Sequence, residues 1–553
     1  MNRNANSHFA LNPTDIDISR SKFDRNASVK FSGNVGDIIP FYVDEVLPGD
    51  TFQIQTSLIA RLQPLVAPIM DNMYLDTYYF FVPTRLTWEH WKQFNGENTE
   101  SKWIPETQYS IPQITAPTGG WQIGTIADYM GIPPLVDGIS VSALPFRAYA
   151  LICNEWFRDE NNTDYLDIPF GDATVQGVNT GTFVTDVAKG GLPFKAAKYH
   201  DYFTSALPSP QKGPDVTIGL SGTAPVYGDG DALNFIDSAG TGFSNLIWKN
   251  ASPTTADWST TPKSPAAVLT KQLASANEIT SGLQADLSAS TSVTVNALRL
   301  AFATQRMYEK DARGGSRYVE MIKAHFGVTS PDARQQRPEY LGGNRVPINI
   351  NQVIQQSGAP QASTGGLSGD PTAVGRAAGY SVTSDVHGDF IKSFTEHGFV
   401  IGVCVVRYDH TYQQGIERFW SRRVRTDFYL PVFANLGEQP IYNKEIYAQG
   451  NDVDDEVFGY QEAWAEYRYK PSRVAGEMRS ISDLKLDAWH LADLYSALPV
   501  LQSGWIFEDK SNLDRSLTVN SSVANQFIAD FYVRCQSTRP MPLYSIPGLI
   551  DHH

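Results

Sequence analysis

Apolar positions in the first ninety or so residues recur with a period of two. In TFQIQTSL (51–58), Phe52, Ile54 and Leu58 fall on one side with polar residues between them, the pattern of a half-buried strand. IIPFYVDEV (38–46) reads as the strand before it, joined through Pro48, Gly49 and Asp50, which predict a turn. After Pro64 and Pro68, YLDTYYFFVP (74–83) predicts a third strand, ended by proline. Trp88, Trp91 and Phe94 then return at helical spacing and predict a short helix. Three strands so close together, linked by tight turns, predict antiparallel sheet.

The pattern then breaks. Residues 95–144 are rich in Pro, Gly and Thr and predict loop, followed by a helix from Pro145 to about Phe157 with proline in its first turn. Between about 160 and 292 the chain is dominated by Gly, Ser, Thr, Ala, Pro and Asp. Its acids, among them Asp215, Asp229, Asp231, Asp237, Asp257 and Asp286, face few bases (Lys212, Lys249, Lys263 and Lys271). Such a composition by itself suits disorder, but Phe235, Phe243, Trp248 and Trp258 predict a small folded module. Next, residues 295–312 stack Leu298, Phe302 and the stem of Arg306 on one helical face, Gly314 and Gly315 end that helix, and SRYVEMIKAHF starts another. Beyond Pro331, FVIGVCVV (399–406), FYLPVF (428–433), AEYRY (465–469) and FIADFYV (527–533) read as strands. No repeat of fixed period is visible. Strands near both ends, with helix and loop between them, predict a mainly β fold whose discontinuous core closes late in the sequence.

Length and composition narrow the class. At 553 residues the chain exceeds the roughly 250–300 that one core supports, so it holds several domains or one core with large insertions. Aromatics make up 12% and charged residues only 19%, a balance that suits surface hidden against partners. The net charge of −15 argues against a protein that grips phosphates over its whole surface, so any nucleic-acid contact is expected to be local or mediated by a basic partner. Cys153, Cys404 and Cys535 match no metal-ligand spacing, and their odd number speaks against a disulfide framework. No apolar signal core opens the chain, and its longest apolar run (399–406) is too short to cross a bilayer, so neither secretion nor membrane insertion is expected.

Motifs whose spacing carries a mechanism are missing: no phosphate-cradling Gly-rich loop with Lys, no His-Glu-x-x-His, no Gly-x-Ser-x-Gly. No cofactor or metal is therefore expected, and His552–His553 reads as a tail. A carbohydrate-active β-sandwich enzyme stays open as the alternative, because paired carboxylates leave no local signature. NDVDDEVF (451–458) reads either as a calcium-binding or as a solvated acidic loop. DARGGSRY (311–318) reads either as an anion site at a helix N-terminus or as a helix stop. In ERFWSRRVR, Arg418, Arg422, Arg423 and Arg425 interleave with Phe419 and Trp420, a mixture that suits single-stranded nucleic acid. The same arginines would also suit pairing with local acids or crossing a subunit interface. The polar opening segment, where Arg3, Arg20, Lys22, Arg25 and Lys30 outnumber Asp15, Asp17 and Asp24, reads as an extended arm that orders against a partner.

Three long blocks carry a resemblance. They are PFYVDEVLPGDTF (40–52) with PLVAPIMDNMYLDTYYFFVPTRLTWEHWKQFNGE (64–97), EKDARGGSRYVEMIKAHFGVTSPDARQQRPEYLGG (309–343), and FGYQEAWAEYRYKPSRVAGEMRS (458–480). In order and spacing the chain resembles the major capsid proteins of gokushoviruses, members of the Microviridae that carry circular single-stranded DNA; about 160–292 shows no matching motif. The resemblance implies an eight-stranded viral jelly-roll β-sandwich with large loop and helical insertions. It places the core at about 30–95, 385–435 and 500–545, a threefold surface protrusion at 205–292 and a helical insertion at 293–345. It also implies pentamers, a sixty-copy T=1 shell assembled in the host bacterial cytoplasm, and a place in the virion. The partners it implies are an internal scaffolding protein, a small basic DNA-associated protein, a pilot protein, the DNA genome and a bacterial surface receptor. On this reading Arg3, Arg20, Lys22, Arg25, Arg418, Arg422, Arg423 and Arg425 face the DNA, and Tyr227, Trp248 and Trp258 are candidates for receptor contact.

Overall fold

Two antiparallel sheets packed face to face lie at the centre of the computed structural model. It describes residues 19–98, 107–216, 295–354, 356 and 377–544, together with short strands between 226 and 285. Nine strands build the sandwich: β1 (Ser21–Asp24), β2 (Ala27–Gly33), β3 (Ile39–Val46), β4 (Thr51–Leu62), β5 (Met73–Pro83), β6 (Glu339–Pro347), β7 (Thr383–Ser393), β8 (Gly398–Tyr408) and β9 (Phe527–Arg539). In the first sheet β1 and β2 both pair with β9, which pairs with β4, and β4 with β7; the second runs β6-β5-β8-β3. From β2 to β5, and again from β7 to β9, each strand crosses to the other sheet, the kind of connection a jelly roll uses. A count of eight is met only by taking β1 and β2, two successive pieces along β9, as one interrupted strand.

The sequence pattern of each strand follows from how many of its faces are covered. β4 and β9 alternate, with Phe52, Ile54 and Leu58 of one and Phe527, Phe531 and Val533 of the other pointing into the core between the sheets. There Phe41 meets Phe531 edge to face at 4.6 Å. β5 and β8 carry continuous apolar runs because the second sheet is buried on both sides. Leu75, Tyr79, Val400 and Val406 join the inner core, while Phe80, Val82, Ile401, Val403 and Val405 join a second core. The second core is supplied by the long connection between β5 and β6, chiefly Trp121, Phe194 and helix α1 (Leu144–Ile152). α1 starts one residue before the predicted start, with Pro145 in its first turn as predicted, and continues as a wider turn over Cys153–Phe157. Its Tyr149 hydroxyl donates to the Ile38 carbonyl at 2.6 Å, which holds the helix at the start of β3.

Helices α2 (Val295–Gly314) and α3 (Tyr318–Phe326) form where the sequence predicts them. Residues 213–308 form a compact unit of their own, distinct from the unit made by the rest of the chain. Two predicted strands are not strands. Pro431 lacks the N–H a ladder needs and starts a 3-10 turn at Pro431–Phe433 instead. Trp464, with φ +65°, bends the backbone out of extension just before the turn Ala465–Tyr467.

Two buried polar clasps tie the connections to the sandwich. The Asp76 carboxylate on β5 accepts Arg345 Nε of β6 at 2.8 Å, Arg407 Nη2 of β8 at 2.7 Å and the Tyr199 hydroxyl at 2.8 Å. Burial works to raise its pKa, but these donors outweigh it and hold the group below the ordinary carboxylate range. Beyond the end of β8, His410 is 1% exposed, with Nδ1 3.0 Å from Asp493 and Nε2 2.9 Å from Glu508. Lys198, from the β5–β6 connection, lies 3.5 Å from the same Asp493. Burial works to lower the His410 pKa, but the two carboxylates raise it from 6.5 to about 10.

Asp76→Ala leaves Arg407 buried without its charge partner and is expected to cost about 3–5 kcal/mol in urea unfolding; a loss under about 1 kcal/mol would remove the clasp from this account. The His410 pKa lies above its unfolded value, so its stabilisation is complete below about pH 6.5 and is lost as pH rises through about 10. The thermal midpoint is expected to fall across that window, and His410→Gln to flatten the fall. Equal slopes in wild type and variant would refute the assignment.

Candidate functional site

The basic run lies in the connection between β8 and β9, as a chain of 3-10 turns at Arg418–Ser421, Arg425–Asp427 and Pro431–Phe433. The Asp427 carboxylate shapes it by accepting the backbone N–H groups of Arg423 at 2.7 Å and Val424 at 2.9 Å. The four arginines divide. Arg418 donates to the Pro440 carbonyl at 2.7 Å and lies 3.5 Å from the buried Glu445. Arg422 pairs with Glu466 at 3.1 Å and stacks over the Tyr467 ring at 4.4 Å. Both are therefore committed to local acids. Arg423 and Arg425 are exposed, and neither has an ion-pair partner among the described residues.

Beside the run opens a cleft of about 580 Å³, lined by aromatic and basic side chains that include Tyr202, Trp420, Tyr467, Tyr469 and Arg473. Tyr202 and Tyr469 stack with ring centroids 5.3 Å apart, and Phe419 and Trp420 lie 4.7 Å apart at the rim. Rings and guanidinium groups in one cleft suit a planar, anionic ligand. Burial raises the Glu445 pKa against the pull of Arg418, so the cleft floor is a compensated charge cluster and not a free basic patch. The sequence reading missed Arg473 and the acids Glu445 and Glu466. They stand some twenty to fifty residues from the basic run, too far for any local spacing to reveal them.

The other candidates are dispersed. Arg3 lies outside the described residues. Arg20 is exposed, with its guanidinium beside the Gly49 turn. Lys22 is exposed on β1, opposite Thr538. Arg25 makes a two-pronged ion pair with Asp44, both contacts at 2.6 Å, and so joins the structural arginines. No hydrogen bond or ion pair among the described residues links Arg20 or Lys22 to the 418–425 run. Tyr227 stands opposite Gln284 on one short antiparallel pair of strands, and Trp248 stands opposite Trp258 on another.

Local contacts account for two segments weighed on the sequence. In the acidic loop, Asp454 accepts the backbone N–H groups of Gln449 and Gly450 at 2.8 and 2.7 Å, and Asp455 pairs with Lys444. Its carboxylates serve the loop's own geometry, and no cluster of three or more metal-binding side chains occurs among the described residues. At 311–318, Arg317 donates to the carbonyls of Asn154 at 2.8 Å and Arg158 at 2.9 Å and pairs with Glu160 and Glu320. Gly315, at φ +98°, leaves room for those two carboxylates, so the segment is a helix stop with acids where an anion would sit.

The family model described as Capsid protein (F protein) matches residues 13–549. Among curated proteins, "Capsid protein VP1" of Spiroplasma virus 4 is 42% identical over 542 residues, covering 96% of each chain. "Capsid protein VP1" of Chlamydia phage 1 is 41% identical with the same coverage, and that of Bdellovibrio phage phiMH2K is 40% identical over 98% of each chain.

The division of the arginines predicts opposite outcomes in equilibrium unfolding. Arg418→Ala is expected to cost about 3 kcal/mol by stranding the buried Glu445, while Arg423→Ala stays within about 0.5 kcal/mol. Equal costs would erase the distinction.

Proposed function

The chain belongs to the capsid protein (F protein) family and is a structural coat protein of a Microviridae phage virion, not an enzyme; from that premise we propose that sixty copies close a T=1 icosahedral shell around a circular single-stranded DNA genome. The observation that carries this reading is the reach of the family match. It runs from before β1 to beyond β9, so it takes in the sandwich and both of its long connections. Closed symmetry suits such a chain, because repeated contacts of modest strength add up over many copies.

The finer parts of the reading follow from charge and topology. A chain of net charge −15 cannot neutralise packaged DNA in bulk, which favours a small basic DNA-associated protein as a second component. A scaffolding protein and a pilot protein complete the proposed set, with pentamers as the intermediate and the host cytoplasm as the place of assembly. Arg20 and Lys22 at β1, with Arg3 earlier in the sequence, are the proposed inward-facing candidates. The surface insertion at 205–292 is the proposed outward part, carrying Tyr227, Trp248 and Trp258 toward a bacterial receptor, and the helical stretch after it leads back to β6. In support, 213–308 is compact by itself, as a module added to a sandwich would be.

Electron microscopy and native mass spectrometry of the full chain expressed with its scaffold are expected to show closed sixty-copy particles. Open tubes, or only monomers at every concentration, would refute the shell. Replacing 217–292 by a short linker is expected to leave particle yield within about twofold while adsorption to host cells falls by about tenfold or more. Adsorption unchanged with particles intact would refute the receptor assignment.

A further inference from the structure

Between Ile416 and Leu436 every fourth residue is apolar and exposed: Ile416, Trp420, Val424, Phe428, Val432 and Leu436. Val432 is 89% and Trp420 73% exposed, far beyond what a lone chain gains by showing them to water. The spacing of four would put these side chains on one face of a helix, but no helix forms here. Three short turns separated by extended residues carry them instead, so they stand out along the segment as a comb.

The segment that carries the comb is anchored by polar contacts. Arg418 and Arg422 hold it to Glu445 and Glu466. Trp464 Nε1 donates to the Phe433 carbonyl at 2.9 Å, and the Tyr429 backbone N–H donates to the Tyr467 hydroxyl at 3.3 Å. A segment pinned at four points by polar contacts has already lost its conformational freedom. An association that uses it has little ordering cost left.

We propose that this comb is a subunit contact, covered in the particle by a second copy of this chain; the inference rests on the coat-protein reading. Charge and chemistry choose the occupant. Four of the six teeth (Ile416, Val424, Val432 and Leu436) are aliphatic, with neither a stacking face nor a hydrogen bond for a nucleic-acid strand. They are the groups that an apolar protein surface desolvates well. Arg423 and Arg425 lie among the teeth with no ion-pair partner among the described residues, and a second copy, itself of net charge −15, offers carboxylates to meet them. Arginine beside aromatics, ringed by apolar contacts that exclude water, is the composition of an interface centre. The arginine run thereby takes the subunit-interface role weighed for it on the sequence, and the DNA-facing role passes to the residues near β1.

Val432→Cys and, separately, Trp420→Cys place a thiol on an exposed tooth, while the three native cysteines are buried. Each variant is assembled into particles, empty and DNA-filled, and maleimide labelling is compared with that of subunits released from the same particles. Labelling about tenfold slower or more in both particle types supports the proposal. Equal rates in particles and released subunits overturn it. Protection confined to DNA-filled particles overturns it in favour of nucleic acid. A wild-type chain that forms no particles removes the coat-shell premise, a failure seen before any label is added.

Discussion

The second sheet has to bury both of its faces, and the rest of the molecule is arranged around that requirement. One face of any sandwich is covered by the opposing sheet. Here Phe80, Val82, Ile401, Val403 and Val405 project from the other face, and each such side chain left in water would forfeit about 1.5–3 kcal/mol. The β5–β6 connection is therefore part of the fold and not an appendage: Trp121, Phe194 and α1 complete a layer without which β5 and β8 would be stranded. Among the described residues the first sheet has no such layer. Its outer face carries Gln53, Gln55, Ser57, Arg61 and Arg534 along with the exposed Ile59, Ile528 and Tyr532, and its strands alternate between this face and the core.

Where three layers meet, polar groups that cannot reach water are paired inside. Asp76 gathers donors from β6, β8 and the β5–β6 connection, and His410 joins the end of β8 to Asp493, Glu508 and Lys198. Buried pairs of this kind add modest net stability, because desolvation offsets much of the attraction, but a broken pair is costly, so they fix how the layers sit on one another. They also commit several of the chain's 44 Lys and Arg residues to contacts within it. Arg25, Arg345, Arg407, Arg418 and Arg422 all close contacts within the chain.

The same logic divides the groups of the 416–436 segment. Arg418, Arg422 and the Tyr429 and Phe433 backbone groups are satisfied within the chain, while the apolar teeth stay exposed. A monomer gains nothing from that arrangement, whereas a shell built of many copies can cover the teeth without first ordering them.

Much of this was legible in the residues themselves. The alternation of 51–58 and the continuous runs at 74–83 and 399–406 identify strands, because a side-chain period of two, or its absence, reports directly how many faces are covered. The helices at 295–312 and 318–326 and the proline start of α1 follow from the same local rules. What stayed hidden was decided by neighbours distant in sequence. β6, with Gly342 and Gly343 in its middle and no alternation, looks like loop, and becomes a strand because Gly343 lets the Thr77 carbonyl approach where a Cβ would clash. The run 428–433 looks like strand but pairs with no strand among the described residues. The arginines of 418–425 read alike until Glu445 and Glu466, contributed by separate turns, pair with Arg418 and Arg422 and leave Arg423 and Arg425 free of them. Periodicity is local and can be read along a chain; pairing of charges and coverage of faces depend on what folding brings together, and those only the tertiary structure decides.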